Sequence, residues 1–377
     1  MSEHILVTGG AGFIGSHLVD ALLKLGHRVR VLDNLEPVVH HGLRERGELP
    51  EYFSSDAEFM LGDVRNPDDV AKALLGIDVV FHEAALVGVG QSMYEIARYT
   101  DTNTGGAAVL LQAIVDAPER PRKLIVASSM SLYGEGAYSC STHGVVYPRF
   151  RQESQLQIHD WEMRCPVTDC QKPVAPRPTD EEKPPYPTSI YAINKRDHEE
   201  MFLAVGRAYR IPTVALRYFN VYGTRQALSN PYTGVAAIFS SRLLNGKSPV
   251  IFEDGLQLRD FTHVSDIVQA NLLVMENSAA DFGVFNVGTG QPFSVLDVAQ
   301  AIAAHMGIAV AAEIVQKYRA GDIRHCYADI TRLVNLGYRS KVGFETGIAD
   351  LVGWVQHQTS IDRFDLARLE LVQKGLA

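Results

Sequence analysis

Gly9, Gly12 and Gly15 stand three residues apart directly behind the apolar run Ile5 to Thr8, in the stretch ILVTGGAGFIG, and an amphipathic pattern continues to about Gly26. A buried strand that turns through glycines into a helix can face a pyrophosphate, because the backbone approaches closely and the first helical amides are free. The same array also serves as a tight strand-to-helix turn without a ligand. The next apolar strand, VRVLDNL, separates the two readings: it ends on Asp33, 18 positions (33 − 15) beyond Gly15. A carboxylate there accepts hydrogen bonds from ribose hydroxyls and repels a 2′-phosphate, which points to NAD rather than NADP.

Further short apolar runs recur at Arg28 to Leu32, Glu58 to Leu61, Val79 to His82, Leu124 to Ser128 and Thr213 to Arg217, each followed by a stretch of helical period. Continuous apolar strands alternating with helices predict a parallel sheet covered on both faces, an α/β fold of the Rossmann-type, doubly wound class. Residues 1–223 are expected to form the NAD-binding domain. Beyond 224 the alternation weakens, so 224–377 reads mainly as a smaller, mixed substrate lobe, with some strands and helices returning to the first domain. Between about 135 and 187 the chain carries CSTHG, CPVTDC and KPVAPRPTDEEKPPYP, a Cys- and Pro-rich insert in which prolines forbid a long regular element.

With 46% hydrophobic and 21% charged residues, the 377-residue chain has ample material for a core. A net charge of −9 without a basic stripe argues against nucleic acid and anionic membranes as partners. The N-terminal segment lacks the features of a signal peptide, and no run reaches a spanning length, so cytoplasmic residence is the expectation.

Tyr191 and Lys195 form Y-x-x-x-K, a spacing that puts both on one helix face, where a cation can lower the phenol's pKa and make phenolate a general base. An ordinary solvated helix face produces the same pair. Ser128 and Ser129 follow the apolar run KLIVA, at the carboxyl end of a central strand, where ligands sit in this fold class. Ser129 could bond a reacting oxygen, or either serine could only cap the strand. Asp63, in LGDVRN, could meet the adenine amino group or cap a helix.

Taken in order, TGGAGFIG, Asp63, HEAA, SSMSLYG, YAINK, RYFNVYG and RDFTHVSD resemble the extended short-chain dehydrogenase/reductase family, in particular its nucleotide-sugar epimerases and dehydratases, over nearly the whole chain. The resemblance implies a catalytic triad of Ser129, Tyr191 and Lys195. It further implies that Phe13, Ile14, Asp33, Asn34, Asp63, Val64, Ala84, Ala85 and Asn103 line the cofactor, with Tyr218 and Phe219 at its nicotinamide end. Asn220, Arg259 and Arg319 would hold a substrate diphosphate, with Asp322 near the nucleotide ribose and Ser131 beside the sugar. Fork-shaped guanidiniums suit phosphate oxygens, although interdomain salt bridges use them equally.

In the similar 4,6-dehydratases an Asp-Glu pair follows the hydroxyl residue; here Met130 and Ser131 stand in those places. That difference disfavours water elimination and leaves oxidation and re-reduction at C4 of a nucleotide-diphosphate sugar, an NAD-dependent 4-epimerisation. An NDP-sugar oxidoreductase, a UDP-glucuronate decarboxylase and a non-catalytic NAD-sensing protein are the competing readings. Relatives in the family commonly dimerise, and segments 101–117 and 191–209 are apolar enough to form a homodimer.

Cys140, His143, Cys165 and Cys170 offer C-x-x-H and C-x-x-x-x-C, four ligands for a structural zinc ion that could order the insert; free thiols on an irregular loop are the alternative. A cysteine-bearing insert at this place also resembles some 6-deoxyhexose 4-epimerases, including those for dTDP-L-rhamnose. The insert is the expected determinant of the sugar chosen.

Overall fold

The computed structural model describes residues 2–319 and 321–376. Strands β1 (His4–Thr8), β2 (Arg28–Asp33), β3 (Glu58–Leu61), β4 (Val79–His82) and β5 (Lys123–Ser129) form where the apolar runs predict them, within one residue at each end. Three short strands follow in the insert: β6 (Ala137–Cys140), β7 (Gly144–Val146) and β8 (Ala175–Arg177). The chain then returns through the Ile190–Tyr209 helix to β9 (Thr213–Tyr218), before β10 (Asn220–Tyr222), β11 (Val250–Ile251), β12 (Leu258–His263), β13 (Val284–Val287) and β14 (Pro292–Ser294).

Seven of these strands pair in parallel in the order β13-β9-β5-β4-β1-β2-β3. The direction of winding reverses at β1, which pairs with β2 on one side and β4 on the other, and a doubly wound sheet opens its ligand crevice at such a point. Every side chain of β4 and β9 is buried, which accounts for their largely apolar sequences, VVFH and TVALRY. Apolar cores fill both faces: Ile5, Val7 and Leu18 belong to one, Leu6, Leu110 and Phe202 to the other. β13 lies at one edge beside β9, so the expected return of the later chain to the first sheet takes this form.

The chain beyond β9 adds a third core, around Phe239, Ile302 and Leu351, and a small mixed sheet built on β10, β12 and β14. The insert is a three-stranded sheet, β7-β6-β8, over a small core of Tyr138, Cys140, Val146, Met163, Cys165 and Val174. Among the described residues, no helix is long and apolar enough to cross a membrane.

Two imidazoles are locked into the sheet–helix interface under the Ile190–Tyr209 helix. His82 accepts or donates a 2.9 Å hydrogen bond with Thr8 Oγ1 and stacks on Phe202, with His198 5.1 Å away between ring centres. Burial, helped by the charge of Lys195, pushes His82 down to about 3 and lowers His198 as well. Both stay neutral in the fold, while the unfolded chain takes up their protons from its ordinary 6.5 downward. Stability is therefore complete above 6.5 and is lost as pH falls toward 3, by about 2 kcal/mol at pH 5 for His82 alone. Denaturant titrations at pH 8 and pH 5 are expected to show this loss, and His82→Gln is expected to make it smaller by one imidazole's share. An unchanged pH dependence in that variant would show that His82 does not carry it.

Candidate active site

The carboxyl edge of the seven-stranded sheet opens into a cleft of about 440 Å³. Gly9, Gly12, Phe13, Ile14 and Gly15 form its floor at the switch point. Gly9 has φ of +71°, and a Cβ on it would sit 2.7 Å from the Ala84 amide nitrogen. A Cβ on Gly15 would run into the Gly9 carbonyl oxygen. The turn therefore presses against both β4's exit and the first turn of the helix Phe13–Lys24, and no side chain caps that helix. Its first amides remain available to an anion.

Asp33, at the end of β2, is nearly buried and lines the same cleft. Its Oδ2 accepts from the Ala11 amide at 3.0 Å and Oδ1 from the Leu35 amide at 2.9 Å. Burial raises its pKa, while His40, the two amides and the Asn34 amide pull it back. Each oxygen keeps a lone pair toward the cleft, as a ribose diol requires. A turn that only glycine can make, an uncapped helix start and a pinned carboxylate together fit the dinucleotide inferred from the sequence. Asn34, Val64, Ala84 and Ala85 line the cleft as expected.

Asp63 and Asn103 do not. Asp63 binds Arg65 Nη2 at 2.8 Å and accepts from Asn34 at 3.2 Å, and the Arg65 guanidinium holds its carboxyl down at about 2. Nor does it cap a helix; Asn66 caps the Pro67–Ala73 helix instead. Asn103 is fully buried, where its amide accepts from the Leu86 N–H at 2.8 Å and donates to the Leu86 carbonyl at 3.1 Å. It shapes the loop that lines the cleft rather than the cleft surface.

At the other end, β5, β9 and the Ile190–Tyr209 helix bring Ser129, Ser131, Tyr191, Lys195, Tyr218, Phe219 and Asn220 to the cleft. The two serines divide their work. Ser128 Oγ donates to Glu199 at 2.8 Å, within a buried pair of Glu199 with Arg217. Ser129 Oγ accepts from the Ser131 amide at 3.1 Å and from its hydroxyl at 2.9 Å. Ser189 caps the helix, and its first turn presents Tyr191. Burial pushes the Tyr191 phenol up to about 12, opposed by the Ser129 hydroxyl. The lowering expected from the lysine is not seen: the Ser129 hydroxyl alone opposes burial. Lys195 Nζ instead donates to the Ala127 carbonyl at 2.8 Å, and burial lowers it to about 8.

Glu83, in the motif HEAA, is a functional residue that the sequence does not single out. It is partly buried, lines the cleft, and accepts from the Tyr218 hydroxyl at 2.8 Å. Burial raises it to about 7, and its charge holds up the pKa of Lys195. No sequence periodicity marks such a residue; only its place just beyond β4, whose last residue His82 pairs with Val126 of β5, does.

The arginines expected at the diphosphate scatter. Arg319 and Asp322 form an ion pair at 2.8 Å and line a second cavity of about 720 Å³, with Arg319 over the Phe252 ring. Arg149, Arg151 and His159 of the insert form part of its wall. Arg259 lines neither cavity: its guanidinium donates to the carbonyls of Leu258, Ile323 and Arg324. In the insert, Cys140, His143, Cys165 and Cys170 converge, with all four ligand atoms within 4.8 Å of one another.

Fold and cleft together define a dinucleotide-binding α/β protein with a serine, tyrosine and lysine at the open end of the sheet. The chain belongs to the NAD dependent epimerase/dehydratase family, whose model matches residues 5–152 and 165–288. It is 33% identical over 359 residues to a dTDP-L-rhamnose 4-epimerase of Burkholderia thailandensis, covering 94% of this chain and 96% of that protein. Among solved structures it resembles the UDP-glucose 4-epimerase of Thermotoga maritima with UDP-glucose, at 31% identity and a TM-score of 0.74, over 94% of this chain and 98% of that one. The Thermus thermophilus UDP-glucose 4-epimerase complex with NAD matches at 30% identity and a TM-score of 0.72, over 94% and 100%.

The buried Glu83–Lys195 pair generates a pH prediction. In Glu83→Gln the carboxylate that keeps Lys195 protonated is gone, so the lysine loses its proton at lower pH. The basic limb of the turnover profile is expected to move down by about one pH unit. A limb that stays in place would show that the two groups do not interact.

Proposed function

We propose that this chain is an NAD-dependent nucleotide-sugar 4-epimerase that oxidises C4 and returns the hydride to the opposite face. The observation that carries the reading is the meeting of Ser129, Tyr191 and Lys195 with the glycine turn and Asp33 in one cleft. In this reading residues 1–223 mainly hold the cofactor, and 224–377 mainly hold the sugar nucleotide.

NAD, when bound, supplies the hydride acceptor and a positive ring. Tyr191 takes the C4 hydroxyl proton, for which its buried phenol needs positive charge nearby; Lys195, four residues on in the same helix and lining the same cleft, is assigned that part. Ser129 donates to the same sugar oxygen and keeps it oriented, while Ser131 holds Ser129 in place. As hydride returns, the Tyr191 proton goes back to the oxygen, and charge balances over the cycle. The place after Ser129 holds Met130, nearly buried, and Ser131, bonded to Ser129, so no carboxylate stands ready to eliminate water. The cleft's carboxylates are Asp33 and Glu36, which lie with the adenosine-side loop, and Glu83, which is tied to Tyr218.

Val87, Val89, Met130 and Phe261 give the cleft an apolar lining that suits a 6-deoxyhexose, as does the similarity to the dTDP-L-rhamnose 4-epimerase. Half-exposed Ile193 on the outer face of the Ile190–Tyr209 helix supports a homodimer through that helix and the neighbouring 101–117 segment. Free thiols and the lack of a spanning helix among the described residues accord with action in the cytoplasm. The Cys140, His143, Cys165 and Cys170 cluster belongs to this reading as a structural zinc site outside the cleft.

NMR product analysis tests the proposal on protein given UDP-glucose, UDP-N-acetylglucosamine, UDP-glucuronate and dTDP-L-rhamnose without added cofactor. A 4-epimer with no net reduced cofactor is expected. Carbon dioxide release, or reduced cofactor in stoichiometric amount, would replace epimerisation with the decarboxylase or oxidoreductase reading. Tyr191→Phe is expected to lower kcat by about 10²- to 10⁴-fold with cofactor content unchanged.

A further inference from the structure

Three of the six separations among the insert's four ligand atoms match the edges of a metal tetrahedron, and all four atoms lie within 4.8 Å of one another. Cys140 Sγ lies 3.8 Å from Cys170 Sγ, and His143 Nδ1 lies 3.6 Å from Cys140 Sγ and 3.5 Å from Cys165 Sγ. Zinc bonds of about 2.3 Å to sulfur and 2.0–2.1 Å to nitrogen give tetrahedral edges of about 3.8 Å between sulfurs and about 3.5–3.6 Å between sulfur and nitrogen. All the cysteines are free, and three thiols with one imidazole converge, which a disulfide would not require. The Thr142 amide donates to Cys140 Sγ at 3.4 Å, and Lys172 donates to the Thr142 hydroxyl at 2.8 Å, so a donor and a cation offset thiolate charge. Exposed His143 leaves the ion a route in.

The two halves of this cluster bracket a segment. His143 and Cys165 are 22 positions apart (165 − 143), and between them lie Arg149, Phe150, Arg151 and His159, on the wall of the second cavity. Arg151 Nη1 donates to the Trp161 carbonyl at 3.1 Å and Nη2 pairs with Glu253 at 2.7 Å. Glu162 pairs with Arg324 at 2.6 Å and with His325 at 3.2 Å. The insert's own core is six residues, two of them the ligands Cys140 and Cys165. So small a core cannot hold the segment without a staple.

Resting on the zinc assignment, we infer that one tetrahedral Zn²⁺ bound by Cys140, His143, Cys165 and Cys170 clamps the base of segment 144–164 and thereby holds that wall of the cavity carrying Arg319 and Asp322. The ion governs nucleotide binding at this cavity and leaves the NAD cleft untouched. The match to the family model breaks over 153–164, so the part of this wall that carries Glu153, Leu156 and His159 is an addition to the common fold.

Metal analysis of the isolated protein is expected to give one zinc per chain; iron, or no metal, overturns the site. Cobalt in its place is expected to show the visible absorption of a tetrahedral thiolate complex. Chelation of the folded protein is expected to open Arg149, Arg151 and Arg164 to trypsin, with NAD content unchanged. It is also expected to weaken binding of dTDP and UDP, measured by calorimetry, by about tenfold. Cys170→Ser, at the half-exposed ligand, is expected to do the same in milder form. A zinc-loaded protein whose segment stays protected and whose nucleotide binding survives chelation overturns the clamp, as does native protein that binds neither nucleotide. None of these measurements uses turnover, so failure of the epimerase reading shows only in product analysis.

Discussion

Parallel pairing of β1 with both β2 and β4 is the constraint on which the rest depends. Because every strand of the main sheet runs the same way, every strand's carboxyl end reaches one edge, and the crossover helices cover the faces. Gly9, Asp33, Glu83, Ser129 and Tyr218 are far apart in sequence, yet each lies at or just beyond the end of a strand in this sheet. A one-residue slip in any pairing would turn these side chains from the cleft into a packed face.

Residues at that edge were the legible ones, because their signals are local. Six apolar runs, a glycine triplet and a tyrosine four residues before a lysine can be read without knowing what packs where. Other features depend on contacts between distant segments. β13 is four residues long and arrives after a mixed lobe, so nothing in VFNV announces that it completes the sheet beside β9. Arg259 carries the right group for a phosphate, but three backbone carbonyls claim it. Asn103 and Asp63 likewise match the family's pattern while their polar atoms are taken up by Leu86 and by Arg65.

Charge under the cleft follows from burial more than from pairing. Lys195 is enclosed among His82, His198 and Glu83, and only Glu83 favours its cationic form. Desolvation pushes the lysine down and the glutamic acid up, until the two lie about one unit apart, at 8 and 7. Tyr191 alone, at about 12, would hold its proton throughout the neutral range.

The insert solves a different problem with the same materials. Its 144–164 segment carries Arg149, Arg151, Glu153, Glu162 and Arg164, too many charges and too few apolar side chains to bury itself. Partners across the lobe supply part of the order: Glu253 lies between Arg151 and Arg324, and Glu162 between Arg324 and His325. Buried ion pairs of this kind hold a geometry well but add little net stability, because desolvation offsets their attraction. They fix where the wall stands once it is there. Keeping it there requires a closed loop, which the proposed clamp would supply from ligands at both ends of the segment, at the cost of four side chains rather than a second hydrophobic core.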